Sequence, residues 1–178
     1  YIRPHLLKEL WFHTGTACNL SCDFCLEGSS PGDKRLELVK LEDVTPYIDQ
    51  AVELGVEQFS FTGGEPFLAK DLVKILQQAA EYAPCLVLTN GTDAVQKRLH
   101  QLVPLLKSRY PVSFRISIDS HIEAEHDAGR GEGMFDLALQ GMKALYDMGF
   151  HVSIARHMAD GEDTAAVEQQ YRAILENY

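Results

Sequence analysis

No run of lysine or arginine occurs in this chain, and the charge balance tilts the other way: 16 basic residues stand against 26 acidic ones, a formal charge of −10. Such a surface repels a phosphate backbone, so a nucleic-acid partner is not expected. Long apolar runs are missing too. No stretch approaches the roughly 18 residues that suggest a membrane span, and no charged-then-apolar leader precedes Trp11. Cysteine is scarce. Four residues in 178, three of them within eight positions, do not make a disulfide framework, so the reducing cytoplasm is the expected compartment. Internal sequence repeats and low-complexity segments are absent as well. What is present is an ordinary globular composition, 46% hydrophobic and 24% charged, long enough for one domain over residues 1–178.

Along the chain, strand-like and helix-like patterns alternate. "ELWFHT" (9–14), "EQFSFT" (57–62), "CLVLTN" (85–90), "VSFRISI" (112–118) and "FHVSIA" (150–155) are short and rich in β-branched or aromatic residues. Helical candidates follow. Leu72, Leu76, Ala79 and Ala83 fall at helical spacing, as do Phe135, Leu139, Met142 and Tyr146, and both stripes read as core faces. Gly55 and Gly149 stand where helix C-caps are expected, just before the next strand. The alternation predicts an α/β fold with a parallel sheet covered by helices.

Two connections are long. Residues 15–40 follow the first strand and hold three cysteines, then "GSSPGDK", which reads as a mobile loop. Residues 119–133, "DSHIEAEHDAGRGEG", follow the fourth strand and carry charges and glycines instead of a core pattern, so His121 and His126 are placed in a loop. The cysteines, "TGGEP" (62–66), "TNG" (89–91) and Asp119 all fall after strands, at the end where α/β folds place their chemistry.

Cys18, Cys22 and Cys25 form C-x3-C-x2-C, which lets a short loop wrap three sulfurs around one soft centre, zinc or an iron–sulfur cluster. A structural zinc wants four ligands, and Cys85 or His13 would have to supply the last. A four-iron cubane held by three thiolates leaves one iron open. Cys85, starting a strand beside apolar residues, reads as a buried small hydrophobe.

With these residues in hand, the sequence resembles the radical S-adenosylmethionine (radical SAM) superfamily. The resemblance rests on Cys18, Cys22 and Cys25 with Phe24 before the third cysteine, on Gly63-Gly64-Glu65-Pro66, and on Ser117 and Asp119. The segment "HDAGRGEGMFDLAL" (126–139) looks like that of members related to peptide-maturing and cofactor-building enzymes. The resemblance implies a partial (β/α) TIM-like barrel of six units. It also implies a [4Fe-4S] cluster on the three cysteines, with SAM chelating the fourth iron, reductive cleavage of SAM, and hydrogen abstraction from a peptide or small-molecule substrate. An electron donor such as flavodoxin or ferredoxin is implied with it.

Several residues take cofactor-binding roles under that resemblance. Gly63 and Gly64 allow close backbone approach, and Glu65 offers an acceptor to the methionyl amine; a tight turn into a helix is the plainer alternative. Ser117 and Asp119, two apart on a strand, reach toward a ribose diol, or Asp119 only caps a loop. Asn90 bonds SAM or substrate, or belongs to an ordinary Asn-Gly turn. Arg130 contacts the SAM carboxylate, or pairs with Glu123, Glu125, Asp127 or Glu132 on the surface. Arg156 lies near the same face, and His157 is placed to line the pocket. Only five strands precede Tyr178, so the chain is expected to be truncated at its C-terminus, without a sixth unit. The competing function is a zinc-binding or degenerate domain that keeps the fold without the chemistry.

Overall fold

A computed structural model describes residues 7–178. Five strands form one wholly parallel sheet in the order β1 (Glu9–His13), β2 (Gln58–Thr62), β3 (Cys85–Thr89), β4 (Val112–Ser117), β5 (His151–Ala155). The helices between them are α1 (Leu41–Glu53), α2 (Leu72–Ala79), the short α3 (Asp93–Gln96) and α4 (Leu99–Leu102), α5 (Glu123–Arg130) and α6 (Met134–Asp147), with α7 (Thr164–Leu175) after β5. All five sequence-predicted strands are present, and the architecture is that of a partial barrel.

Strand alternation explains the core. Phe12, Phe59, Phe61, Val87, Phe114 and Ile116 point to the helix-covered face and are buried. Phe12 stacks on Phe61 with ring centroids 5.4 Å apart, and Phe114 meets Phe150 edge-on at 5.1 Å. From α2, Leu72, Ile75, Leu76 and Ala79 have no exposed surface, and each large aliphatic chain so buried contributes about 1.5–3 kcal/mol. The opposite face of the sheet carries Trp11, Leu86, Ser113 and Arg115, and stays partly open, with Trp11 46% exposed. There Glu9 accepts from Ser60 Oγ at 2.5 Å and from Gln58 Nε2 at 2.8 Å.

Gly55 (φ +77°) and Gly149 (φ +100°) occupy the left-handed conformation that ends α1 and α6, as their positions predicted. Three expectations change. Ala83 is buried but lies beyond the end of α2, and Tyr146 is 68% exposed, so the α6 stripe leaves the core before its last turn. Residues 123–130 form α5, so His126 and Arg130 are helical and not in a loop. The "GSSPGDK" segment is pinned: Ser30 bridges Ala17, Asp33 accepts from Thr16 Oγ1 at 2.9 Å, and Arg35 holds the Asp33 carboxyl well below the usual carboxylate range.

Candidate active site at the C-terminal ends of the strands

The end of β1 continues as an extended segment, and two later residues clamp it. Gly64 N donates to Gly15 O at 2.9 Å, and Glu65 N donates to Ala17 O at 2.9 Å, prolonging the β1–β2 ladder to the threshold of Cys18. The approach is close. A Cβ on Gly64 would stand 2.3 Å from Ala17 O, and one on Gly63 would stand 2.7 Å from Gly15 O, so neither site admits a side chain without displacing that segment. The glycines therefore serve the protein's own cysteine loop.

Beyond the clamp the loop folds on itself. Cys25 N donates to Cys22 O at 3.0 Å, Gly28 N to Cys25 O at 2.9 Å, and Cys18 N to Ser30 O at 3.2 Å. A cavity of about 180 Å³ opens at its centre, lined by Cys18, Cys22 and Cys25 together with Phe24, Ser29, Gly63, Gly64, Asn90, Ser117 and Arg130. Nine of the eleven sequence-derived site residues thus meet in one place. Burial pushes the Cys18 thiol up to about 11 and raises Cys22 as well, so without a bound group they hold their protons, and occupancy by a metal releases them.

Glu65 and Asp119 stand behind the walls. Glu65 is wholly buried: Oε1 accepts from Phe67 N at 3.0 Å and Thr89 Oγ1 at 2.8 Å, and Oε2 accepts from Asn90 N at 2.9 Å. Burial raises its pKa, against the pull of those three donors. It ties β2 to the turn after β3. Asp119 accepts from Arg130 Nε at 2.5 Å and Nη2 at 2.9 Å, so the partner of Arg130 is Asp119 and none of the nearby loop carboxylates. Burial opposes the Arg130 charge, but the Asp119 carboxylate outweighs it and raises the pKa.

Arg130 also lies over the Phe24 ring, 5.4 Å from its centroid, and His157 meets that ring edge-on at 4.7 Å. Beneath it sits Gly129, where a Cβ would fall 2.4 Å from Phe24 Cε1. Arg156, by contrast, turns away to pair with Glu162 at 2.5 Å. Asn90 is fixed by Thr92, whose backbone N–H donates to Oδ1 at 3.0 Å. A backbone N–H can only donate, so the Asn90 amide nitrogen faces Asn19 Oδ1 at 2.9 Å and Cys18 Sγ at 3.9 Å. The Asn-Gly turn is also real: Gly91 is left-handed at φ +74°, and a Cβ on Gly141 of α6 would fall 1.8 Å from Gly91 O.

Sequence reasoning missed Ser29, Thr89, Gly129 and His126. Thr89 opens the "TNG" turn, and His126 and Gly129 belong to the segment 126–139, so only Ser29 lay outside the stretches read as chemically relevant. His126 is 1% exposed, accepts from Asp119 N through Nδ1 at 3.2 Å, and is pushed toward neutrality first by burial and then by Arg130.

The donor set fits a cluster better than a tetrahedral zinc. Cys85 opens β3, at the opposite end of the sheet from the cysteine loop, and burial holds its thiol up at about 12. Both His13 nitrogens are engaged, with Nδ1 accepting from Gly15 N at 3.2 Å and Nε2 bonded to Glu27 at 2.7 Å. Neither residue completes a four-ligand site. Among the described residues, no helix is long and apolar enough to cross a membrane.

Known proteins resemble this chain in sequence and in fold. A probable GTP 3′,8-cyclase of Pyrococcus abyssi is 29% identical over 151 residues, covering 82% of this chain and 47% of that protein. The mycofactocin maturase MftC of Mycolicibacterium smegmatis is 32% identical over 167 residues, covering 89% of this chain and 41% of that protein. The chain therefore spans less than half the length of these relatives. Among solved structures, Streptococcus suis SuiB bound to S-adenosylmethionine superposes with a TM-score of 0.74 at 20% identity, over 97% of this chain and 38% of SuiB. The model of the radical SAM superfamily matches residues 12–173, nearly the whole sequence, and this chain belongs to that superfamily.

Proposed function

We propose that this chain is the core domain of a radical SAM enzyme in which Cys18, Cys22 and Cys25 hold a [4Fe-4S] cluster and the surrounding cavity wall receives SAM. The observation that carries the reading is the convergence of the three thiols with Gly63, Gly64, Asn90, Ser117 and Arg130 on one cavity. With both groups bound, the chemistry supplied is reductive cleavage of the SAM sulfonium and removal of a hydrogen atom from the substrate. The protein's own part is position and charge. Ser117 offers a hydroxyl to the ribose, Arg130 brings a permanent positive charge to the wall that would meet the SAM carboxylate, and Asp119 keeps that guanidinium in place. Asp119 and Glu65 act on the ligand from behind, through Arg130 and through the Thr89–Asn90 turn.

A peptide is the favoured substrate. The open face of the sheet has a groove of about 490 Å³ lined by Glu9, Trp11, Gln58, Ser113 and Arg115, among others. It mixes hydrogen-bonding groups with one large ring, and Arg115 shares it with Glu9, which suits an amide-bearing chain better than a triphosphate. The names of two relatives point the same way, a maturase and a SuiB structure bound to its precursor peptide. A flavodoxin- or ferredoxin-type donor in the cytoplasm would supply the electron.

The test is anaerobic reconstitution of the full-length protein with iron and sulfide, followed by SAM and a strong reductant. Slow release of 5′-deoxyadenosine is expected even without substrate. A fully loaded, reduced protein that leaves SAM intact would refute catalysis and favour a non-catalytic metal-binding domain.

A further inference from the structure

Ser29 lies four residues after Cys25, in the loop that carries the thiols. It is 4% exposed, and its Oγ is fully buried without a hydrogen-bond partner among the described residues. It lines the same cavity as the three cysteines. Its backbone is fixed from both sides, by the turn in which Gly28 N donates to Cys25 O and by the bridge between Ser30 and Ala17, with Ser30 O accepting from Cys18 N. The backbone that carries the hydroxyl is therefore held by the same loop that presents the thiols. A buried hydroxyl with no partner is costly, and each such group in a native protein calls for an explanation.

Several polar groups of the cavity wall are already engaged. Asn90 is locked by Thr92 and Asn19, Thr89 Oγ1 donates to Glu65, and Leu20 N donates to Cys18 Sγ at 3.4 Å. The cavity that Ser29 lines holds three sulfurs, and thiolates and sulfides accept hydrogen bonds without donating them. We propose that Ser29 Oγ donates a hydrogen bond to the sulfur framework of the cluster held by Cys18, Cys22 and Cys25, and that it sets the cluster's reduction potential. Reduction adds negative charge to those sulfurs, so a donor aimed at them stabilises the reduced state and raises the potential. Ser29 is a positioning and tuning residue and carries no step of the chemistry.

This inference rests on the cluster reading above, and the experiment separates the two failures. Full-length wild-type protein and the Ser29→Ala variant are reconstituted anaerobically, their iron and sulfide are counted, and the midpoint potential is read by EPR-monitored redox titration without SAM. Equal cluster content, with the variant's midpoint shifted to a more negative potential and restored in Ser29→Thr, is the expected result. Where Ser29→Ala does not load, the near-isosteric pair Ser29→Thr and Ser29→Val is compared in its place, and the same negative shift is expected on going from Thr to Val. An unchanged midpoint in the hydroxyl-free variant overturns the proposal. If that variant instead keeps its midpoint and binds SAM at least tenfold more weakly, the hydroxyl serves SAM, which also overturns it. A wild-type protein that takes up no iron–sulfur cluster sinks the parent reading of function and not merely the role of Ser29.

Discussion

Glu65→Gln separates a ligand-binding carboxylate from one that holds the scaffold. In the native protein Oε1 accepts from Phe67 N and Thr89 Oγ1, while Oε2 accepts from Asn90 N. The best orientation for glutamine keeps its oxygen at the Oε1 position and preserves two of these bonds. Its NH₂ then faces the Asn90 N–H, donor against donor, and leaves a buried amide unsatisfied at about 1–3 kcal/mol. The two surviving bonds become neutral and weaken, but the burial that raises the Glu65 pKa no longer opposes a charge. These last two effects offset in large part. The net loss is about 2 kcal/mol, roughly thirtyfold in the folding equilibrium. Urea unfolding of the cluster-free full-length protein measures it, as a lower midpoint with an unchanged slope. Because Asn90 also faces Cys18, the variant should release iron faster after loading. Stability within about 0.5 kcal/mol of wild type, together with at least tenfold weaker SAM binding, would refute the reasoning and make Glu65 a direct ligand contact.

Two further outcomes follow from the geometry. Alanine at Cys18, Cys22 or Cys25 should abolish a stable cluster, whereas Cys85→Ala, at the far end of β3, should keep iron and sulfide at wild-type levels; loss of the cluster from a folded Cys85→Ala protein would contradict the three-thiolate site. Gly129→Ala puts a methyl into the space of Phe24 Cε1, and because that ring is 40% exposed it can escape outward, so overall stability should fall by only about 1 kcal/mol. The freed 22–29 segment should then become more susceptible to limited proteolysis, and an unchanged cleavage rate would show that Phe24 does not anchor the loop.

The strands were legible because each places several β-branched or aromatic residues between turn signals, and burial of one face then leaves little freedom of register. The cysteines were legible because their spacing is itself the chemistry. α5 was not, since its sequence EAEHDAGR has no apolar stripe and its one buried residue is His126. A helix held by Asp119 and packed against α6 cannot be seen by looking for hydrophobic periodicity. The partner of Arg130 was hidden for a similar reason: five acidic residues lie nearer in sequence than Asp119, and only the fold brings that carboxylate to the guanidinium. Tyr146 kept the helical spacing of its neighbours and still pointed outward, because periodicity locates a face but not where that face runs out of things to cover. Gly63 and Gly64 were read correctly as a place of close approach. What approaches them, residues 14–17, lies nearly 50 positions earlier in the chain.

The sheet order β1-β2-β3-β4-β5 has a consequence for how the molecule is made. Every strand lies beside the one synthesised just before it, so the sheet can grow at one edge as the chain leaves the ribosome, with no strand waiting for a distant partner. The cysteine loop leaves the ribosome before the groups that hold it, so it cannot set at that point. Its first clasp arrives with Gly64 and Glu65, and the groups that fix Glu65 arrive only with Thr89 and Asn90. Until three strands have been laid down, the thiols stand on an unformed loop, so a cluster held by them would assemble only after β3 has joined the sheet.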